Sequence, residues 1–428
     1  MDFELRHSGK RLAGLFLFFT GTTAYLALTT TQFLAARFST VPTASALRKA
    51  VDLDPVNAEY RNNLGRFEMV VEQTPAAALP ELQSAVALNP SHSDYWLDRA
   101  SAEQLLGEFD AERESLDRVT AIDPHTARVA WQAANLYLSQ GSVEPALREY
   151  RTVLANDPVL TPEALRICWR IRPDIDFLLQ NVIPVNADEP FLSFLVSSGE
   201  TQAAGKVWER IVSLQQPVER RFLFDYLRYL FAHNDPVQAS RAWQQAANLS
   251  DLAAYQPTEE NLLVNGDFNL DILNAGFDWM YQKSSSVSLA IDPDETPNGA
   301  NRSLNIEFEG PGIEDAGIHQ LIYVAPATRY QFVANYKAED MDGAGGAEFA
   351  IQDAYTGANF FMSQNLRDSM SWSRVEDNFT TGPETHLVVL RIARVPANRP
   401  IRGKLWINGL KLVTADDATS LAAQKEQP

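Results

Sequence analysis

Three patterns of apolar and polar positions follow one another along the chain. From Leu12 to Ala36 no residue carries a charge. As a helix this segment is long enough to cross a hydrocarbon core of about 30 Å. From about residue 42 to 250, apolar residues recur at helical spacing and Asp/Asn-Pro pairs interrupt them. From residue 261 the runs shorten and alternate, as in GIHQLIYV, RYQFVANYKAED and THLVVLRIARV, with Gly, Pro, Asn and Asp between them. Alternation of that kind predicts half-buried strands of an all-β sandwich. The chain thus reads as one apolar helix, a helical array and a β domain.

The helical array is periodic. VDLDP, VALNP, TAIDP and LANDP close at Pro55, Pro90, Pro124 and Pro158, with spacings of 35, 34 and 34. A period near 34 marks stacked helix–turn–helix units, which bury their apolar faces only against neighbours. In the unit ending at Pro158, Ala134, Tyr137, Gly141, Ala146 and Tyr150 hold small, aromatic, turn, small and aromatic positions. In the unit ending at Pro124, Trp96, Ala100 and Gly107 do the same, and Leu64-Gly65, Ala78, Leu82 and Ala85 belong to the unit before it. This resembles the tetratricopeptide repeat over roughly half the chain, with degenerate units beyond Pro158. The resemblance implies an all-α solenoid whose first helices line a protein-binding face. Carried over, that face holds Asn62 and Arg66 from one unit and Arg128, Trp131 and Asn135 from another. Their spacing puts each set on one helix face. An ordinary solvated face, or packing of Trp131 against a neighbouring repeat, fits the same spacing.

The β region resembles the galactose-binding-like jelly roll of carbohydrate-binding module families 4 and 9. LLVNGDF is close to their first strand, GIHQLIYVAPATRYQFVANYKAED to their central strands, and WSRVEDNFTT and GKLWINGLKL to their closing strands. The resemblance implies polysaccharide contact. Gln320, Asn335 and Arg391 lie among apolar strand neighbours and would line a concave face if their strands adjoin. Trp279 and Tyr281, in DWMY, are the aromatic candidates, with core packing as the alternative. Asn408 stands where such modules usually carry Asp, so a structural calcium near Asp267 is in doubt.

Composition narrows the chemistry. The 428 residues carry a net charge of −19, which argues against a nucleic-acid partner. One cysteine, Cys168, excludes an intrachain disulfide and a Cys-rich zinc site. The six histidines are scattered, and the sequence holds no P-loop, dinucleotide turn, nucleophile elbow or HExxH. No catalytic residue, metal or cofactor is therefore expected.

The Leu12–Ala36 segment reads as an uncleaved anchor. The alternatives are a cleaved signal, whose apolar part usually spans about 7–15 residues, and a buried soluble helix. Basic residues flank both ends, and a short N-terminal tail favours an N-in, C-out orientation. The expected layout is a cytoplasmic tail at 1–11, a transmembrane signal anchor at 12–36, a tetratricopeptide-type domain at 42–250, a linker at 251–260, the jelly-roll sandwich at 261–413 and a disordered tail at 414–428. The expected function is a non-enzymatic, single-pass envelope scaffold with periplasmic domains. Its repeats bind a protein and its jelly roll contacts polysaccharide, in line with polysaccharide synthesis or export. The alternative is a purely structural assembly factor without a sugar site.

Overall fold

The computed structural model describes residues 8–297, 302–367 and 371–415. Of the cytoplasmic tail expected at 1–11 and the disordered tail expected at 414–428, residues 1–7 and 416–428 lie outside the described residues, while residues 8–11 belong to the first helix and Thr414 ends the last strand. The chain divides into two compact units, 1–194 and 195–428.

The first unit opens with α1 (Ser8–Ser39), whose Arg11–Ser39 portion is long and apolar enough to cross a membrane and is bare of protein contacts over its most apolar stretch. Its hydroxyls turn inward along the helix: Thr20, Thr22, Thr23, Thr30 and Thr31 each donate to the carbonyl four residues back. Such bonds leave few polar groups for an apolar surrounding to penalise. Then come α2 (Ala44–Leu53), α3 (Ala58–Val70), α4 (Pro75–Leu88), α5 (Ser93–Leu106), α6 (Phe109–Ile122), α7 (Ala127–Ser139), α8 (Val143–Asn156), α9 (Thr161–Ile171) and α10 (Ile175–Asn181). The Asp/Asn-Pro pairs do what their chemistry requires. Asp54, Asn89, Asp123 and Asp157 each cap a helix C-terminus, with φ of −139, −139, −134 and −134°. A residue before proline is pushed out of the helical region, so the helix stops there.

Helices pair as α3 with α4, α5 with α6 and α7 with α8. Small residues allow the approach: Ala78, Ala85, Ala100, Ala134 and Ala146 are fully buried. Gly65 is the closest case, since a Cβ there would stand 2.6 Å from Leu82 Cγ. Gly65→Ala is therefore expected to destabilise the protein by about 1–3 kcal/mol through overpacking. In an exposed helix the same change would stabilise by about 1 kcal/mol. Denaturant titration of the full-length variant reads the sign.

In the second unit, α12 (Thr201–Ser213), α13 (Arg220–Ala232) and α14 (Pro236–Leu249) follow α11 (Asp188–Ser197), which crosses the division. Within residues 251–260, expected as a linker, Leu252 is buried and Gln256 Nε2 donates to the Trp243 carbonyl at 3.1 Å. A 3-10 turn at Ala253–Tyr255 brings the Tyr255 carbonyl to Trp243 Nε1 at 2.9 Å. The Tyr255 hydroxyl donates to the Asp271 carbonyl at 2.8 Å. The Trp243 ring lies against Gly276 (φ +65°), where a Cβ would come within 2.4 Å of it, and against Phe277 at 5.9 Å between centroids.

The sandwich contains β1 (Met280–Tyr281), β2 (Val287–Asp292), β3 (Ser303–Gly312), β4 (Asp315–Tyr323), β5 (Arg329–Asp342), β6 (Gly346–Asp353), β7 (Asn359–Met362), β8 (Ser373–Thr380), β9 (Leu387–Val395) and β10 (Pro400–Thr414). One five-stranded sheet has the order β1-β4-β9-β6-β7 and the other β2-β3-β10-β5-β8, and every pairing is antiparallel. Phe268, Trp279, Ile306, Phe332, Phe349, Leu390 and Leu405 fill the core between the sheets. Arg394 is buried beside the β9–β10 turn and donates to the carbonyls of Ala344, Val395, Arg399 and Pro400 at 2.7–3.2 Å.

Asp278 is fully buried before β1. Its Oδ2 accepts the Leu273 N–H at 2.7 Å, while Oδ1 has no hydrogen-bond partner among the described residues. Burial pushes its pKa up to about 6, against the bonds from Leu273, Trp279 and Asn265. The folded state thus holds this proton more tightly than the unfolded chain does. The contribution to stability is complete below about pH 4 and is lost as pH rises through 6. The stability of the wild type relative to Asp278→Asn is expected to fall by on the order of 2 kcal/mol between pH 4 and pH 7. Parallel urea titrations at the two pH values measure that difference.

Candidate functional site: a helical seam and the faces of the sandwich

Two surfaces gather the residues singled out from sequence. The first lies across α3, α5 and α7, the first helices of successive repeats, which contact one another. Asn62 Nδ2 donates to Asp98 Oδ2 at 2.8 Å, and Arg66 Nε stands 3.6 Å from the same oxygen. Arg128 bonds Asp94 Oδ1 at 2.7 Å. Asn62, Arg66 and Arg128 are thus joined into one polar seam by two carboxylates of the middle helix. Asp94 and Asp98 were not among the sequence candidates. Their signal was present, because Asp94 stands 34 residues, one repeat, before Arg128.

Along this seam Asn62 is buried while Arg66 and Arg128 are exposed. Burial pushes the Asp98 carboxyl up, while Asn62 and Arg66 pull it down. Trp131 is half-buried and meets Tyr150 of its own repeat edge-on at 5.6 Å. Asn135 accepts the Tyr150 hydroxyl at 2.9 Å and donates to the Trp131 carbonyl. The Arg66 and Arg128 side chains stay largely exposed while they pair with these carboxylates.

The second set does not converge. Gln320 and Arg391 lie on adjoining strands, β4 and β9, but Asn335 is on β5 of the other sheet. Gln320 points into the core with Ile318 and Ile322, is fully buried, and donates from Nε2 to the Val264 carbonyl at 2.7 Å. Trp279 is also fully buried: its ring packs on Phe268 and Nε1 donates to the Asn265 carbonyl at 3.2 Å. A ring enclosed on both faces offers no platform to a sugar. Asn335 pairs with Asn408 across β5–β10, and its amide lies close to Gly409. Asn408 donates to the Arg302 carbonyl at 2.6 Å.

Arg391 lies on the outer face of its sheet, and Asn335 on the outer face of the other, opposite Phe332 and Ala334 of the core. Arg391 aligns with His319, and its Nη1 is 3.4 Å from Asp315 Oδ2. Burial lowers the His319 pKa; Asp315 opposes this and Arg391 adds to it. Burial thus favours the neutral imidazole. Glu348 and Gln352 of β6 continue this outer face, and α14 packs against β4. Tyr281 is half-buried and lines a separate cleft of about 570 Å³ between β1 and β2.

Among known families, the tetratricopeptide repeat matches residues 72–127, from just before α4 to the first residue of α7. Similar solved structures include a crystal structure of MamA, at 24% identity over 30% of this chain and 77% of that one, with a TM-score of 0.26. A structure described as CBM4 structure and function is 14% identical over 36% of this chain and 99% of that one, with a TM-score of 0.27. The type III secretion translocator chaperone SycD of Yersinia enterocolitica is 19% identical over 27% and 92%, with a TM-score of 0.24. No match is found among curated proteins. The tetratricopeptide match thus lies within the helical region, which an antiparallel all-β region follows.

The placement of the two aromatic candidates separates their roles in stability. Trp279→Ala is expected to cost about 3–5 kcal/mol, the range for a large buried ring. Tyr281→Ala, at the cleft, should cost about 1 kcal/mol or less. Denaturant midpoints of the two full-length variants, compared with wild type, test this order.

Proposed function

We propose that this protein is a membrane-anchored docking scaffold, with α1 in the bilayer and the α3–α5–α7 seam holding a protein partner. The observation that carries this reading is the joining of Asn62, Arg66 and Arg128 through Asp94 and Asp98 across three successive first helices. Tetratricopeptide arrays use that side for partners, and exposed arginines beside an aromatic ring are common binding anchors. The bare, apolar surface of α1 supports the anchor. In this reading the tail is cytoplasmic, the folded units are extracytoplasmic, and the protein performs no reaction.

A second reading adds polysaccharide contact through the sandwich, in envelope polysaccharide synthesis or export. Its support is the row of planar polar groups on one outer sheet face, Arg391 beside His319 with Gln352 further along. Neither Trp279 nor Gln320 belongs to that row.

The scaffold is tested with a photo-crosslinking residue, p-benzoylphenylalanine, placed at Arg128 or at Arg113, which is exposed on the second helix α6. In isolated membranes washed with alkaline carbonate, position 128 should give a discrete protein adduct and position 113 none. Arg66→Glu together with Arg128→Glu should remove partner binding by about tenfold or more, as expected for charged anchors. Equal adducts from both positions, or none from either, would remove the docking role; release by carbonate would remove the anchor.

A further inference from the structure

The sandwich is open along one side. β1 has two residues and β2 six, and they are edge strands of opposite sheets. Among the described residues they pair only with β4 and β3, respectively. The cleft of about 570 Å³ lies between them. Its floor is aliphatic, formed by Val287, Leu289 and Ile291 of β2, Leu304 of β3 and Ile318 of β4. Ile291 stands 36% exposed although its cross-strand partner Leu304 is buried. A side chain on the core face of its strand is thus left uncovered.

Among the described residues the outer edge of β2 also has no strand partner. An edge strand presents a row of unpaired N–H and C=O groups, and proteins usually guard it with lysine, proline or a bulge. β2 reads VSLAID, with neither lysine nor proline, and its ladder to β3 runs without a register shift. Its one charge, Asp292, is engaged by Trp406 Nε1 at 3.0 Å. Around the cleft stand Asp271, Lys283 and Glu309, all exposed and forming no ion pair among the described residues. Polar groups of Gln282, Ser284 and Ser285 also line the cleft, beside the aliphatic floor. An extended peptide matches all three features: it pairs the edge, fills the floor and meets the charges.

We propose that β2 accepts an extended segment of another protein as an added strand. Alternate apolar side chains of that segment enter the cleft, and basic residues flanking them meet Asp271 and Glu309. Strand addition of this kind draws affinity from main-chain hydrogen bonds and specificity from every second side chain. It is independent of the helical seam.

The test uses the full-length chain in lipid nanodiscs and a fluorescent peptide, Lys-Val-Thr-Val-Thr-Val-Lys, capped at both ends. Fluorescence polarisation should show saturable binding, with slowed amide exchange in Val287–Asp292. N-methylation of alternate peptide nitrogens should weaken binding by about tenfold or more, because it removes the ladder donors. Ile291→Lys, an inward charge on the edge, should weaken it by a similar factor. The N-methylated peptide keeps the test valid even if that variant is unstable. Absence of binding at about 1 mM, far weaker than typical domain–peptide affinities, overturns the proposal. Equal binding of the N-methylated peptide also overturns it, since the cleft would then take any apolar ligand. Self-association that Ile291→Lys abolishes would overturn it in favour of a second copy as the occupant.

Discussion

The packing of Trp243 into the notch at Gly276 organises the whole second half of the chain. The ring is nearly inaccessible and sits where a Cβ on residue 276 would overlap it. Phe277 closes on it from the strand side, and Phe231 closes on Phe277. The indole N–H is satisfied by the Tyr255 carbonyl, so the chain between helix and sheet is pinned at the same point. Aromatic area buried this way typically dominates the energetics of a packed contact. This is why α12–α14 belong with the sandwich, although their composition continues that of the helices before them.

Within the repeats, the governing constraint is distance rather than hydrophobicity. Ala78, Ala85, Ala100 and Ala134 lose all exposure, and Gly65 leaves no room even for a methyl group. Close axes bring successive first helices into register, and register lets Asn62 and Arg66 reach Asp98 and lets Arg128 reach Asp94. The seam is therefore a product of the packing behind it. Its ion pairs contribute little stability where they face water, since exposed pairs are worth about 0–1 kcal/mol. Their value lies in holding long side chains in a fixed pattern that a partner can read.

The sandwich balances a full core against one incomplete margin. Arg394 keeps a charge among carbonyls and fixes the turn into β10, while β10 crosses the centre of its sheet between β3 and β5. On the opposite margin β1 ends after two residues, and the next stretch, through Ser284 and Ser285, leaves the sheet. The cleft lies beside that early ending, where Gln282, Lys283, Ser284 and Ser285 join its lining.

Periodicity alone determined the helical array, its stops and the switch to strands. Asp/Asn-Pro forbids helix continuation locally, and alternation needs only neighbouring residues to be seen, so Ala134 and Gly65 were legible as contact positions. The phase of each strand was not. A one-residue choice flips a side chain to the other face. Gln320 therefore turned out to be a core residue tied to Val264, while its neighbour His319 faces outward with Arg391. Sheet membership was equally hidden, because β5 follows β4 in sequence yet lies in the opposite sheet. Trp279 in DWMY could serve as platform or core, and only the closure of Phe268 over it decided for the core. The edge cleft is the extreme case, because it arises from strands that fail to meet, a property of the assembled sheets that no local pattern of residues encodes.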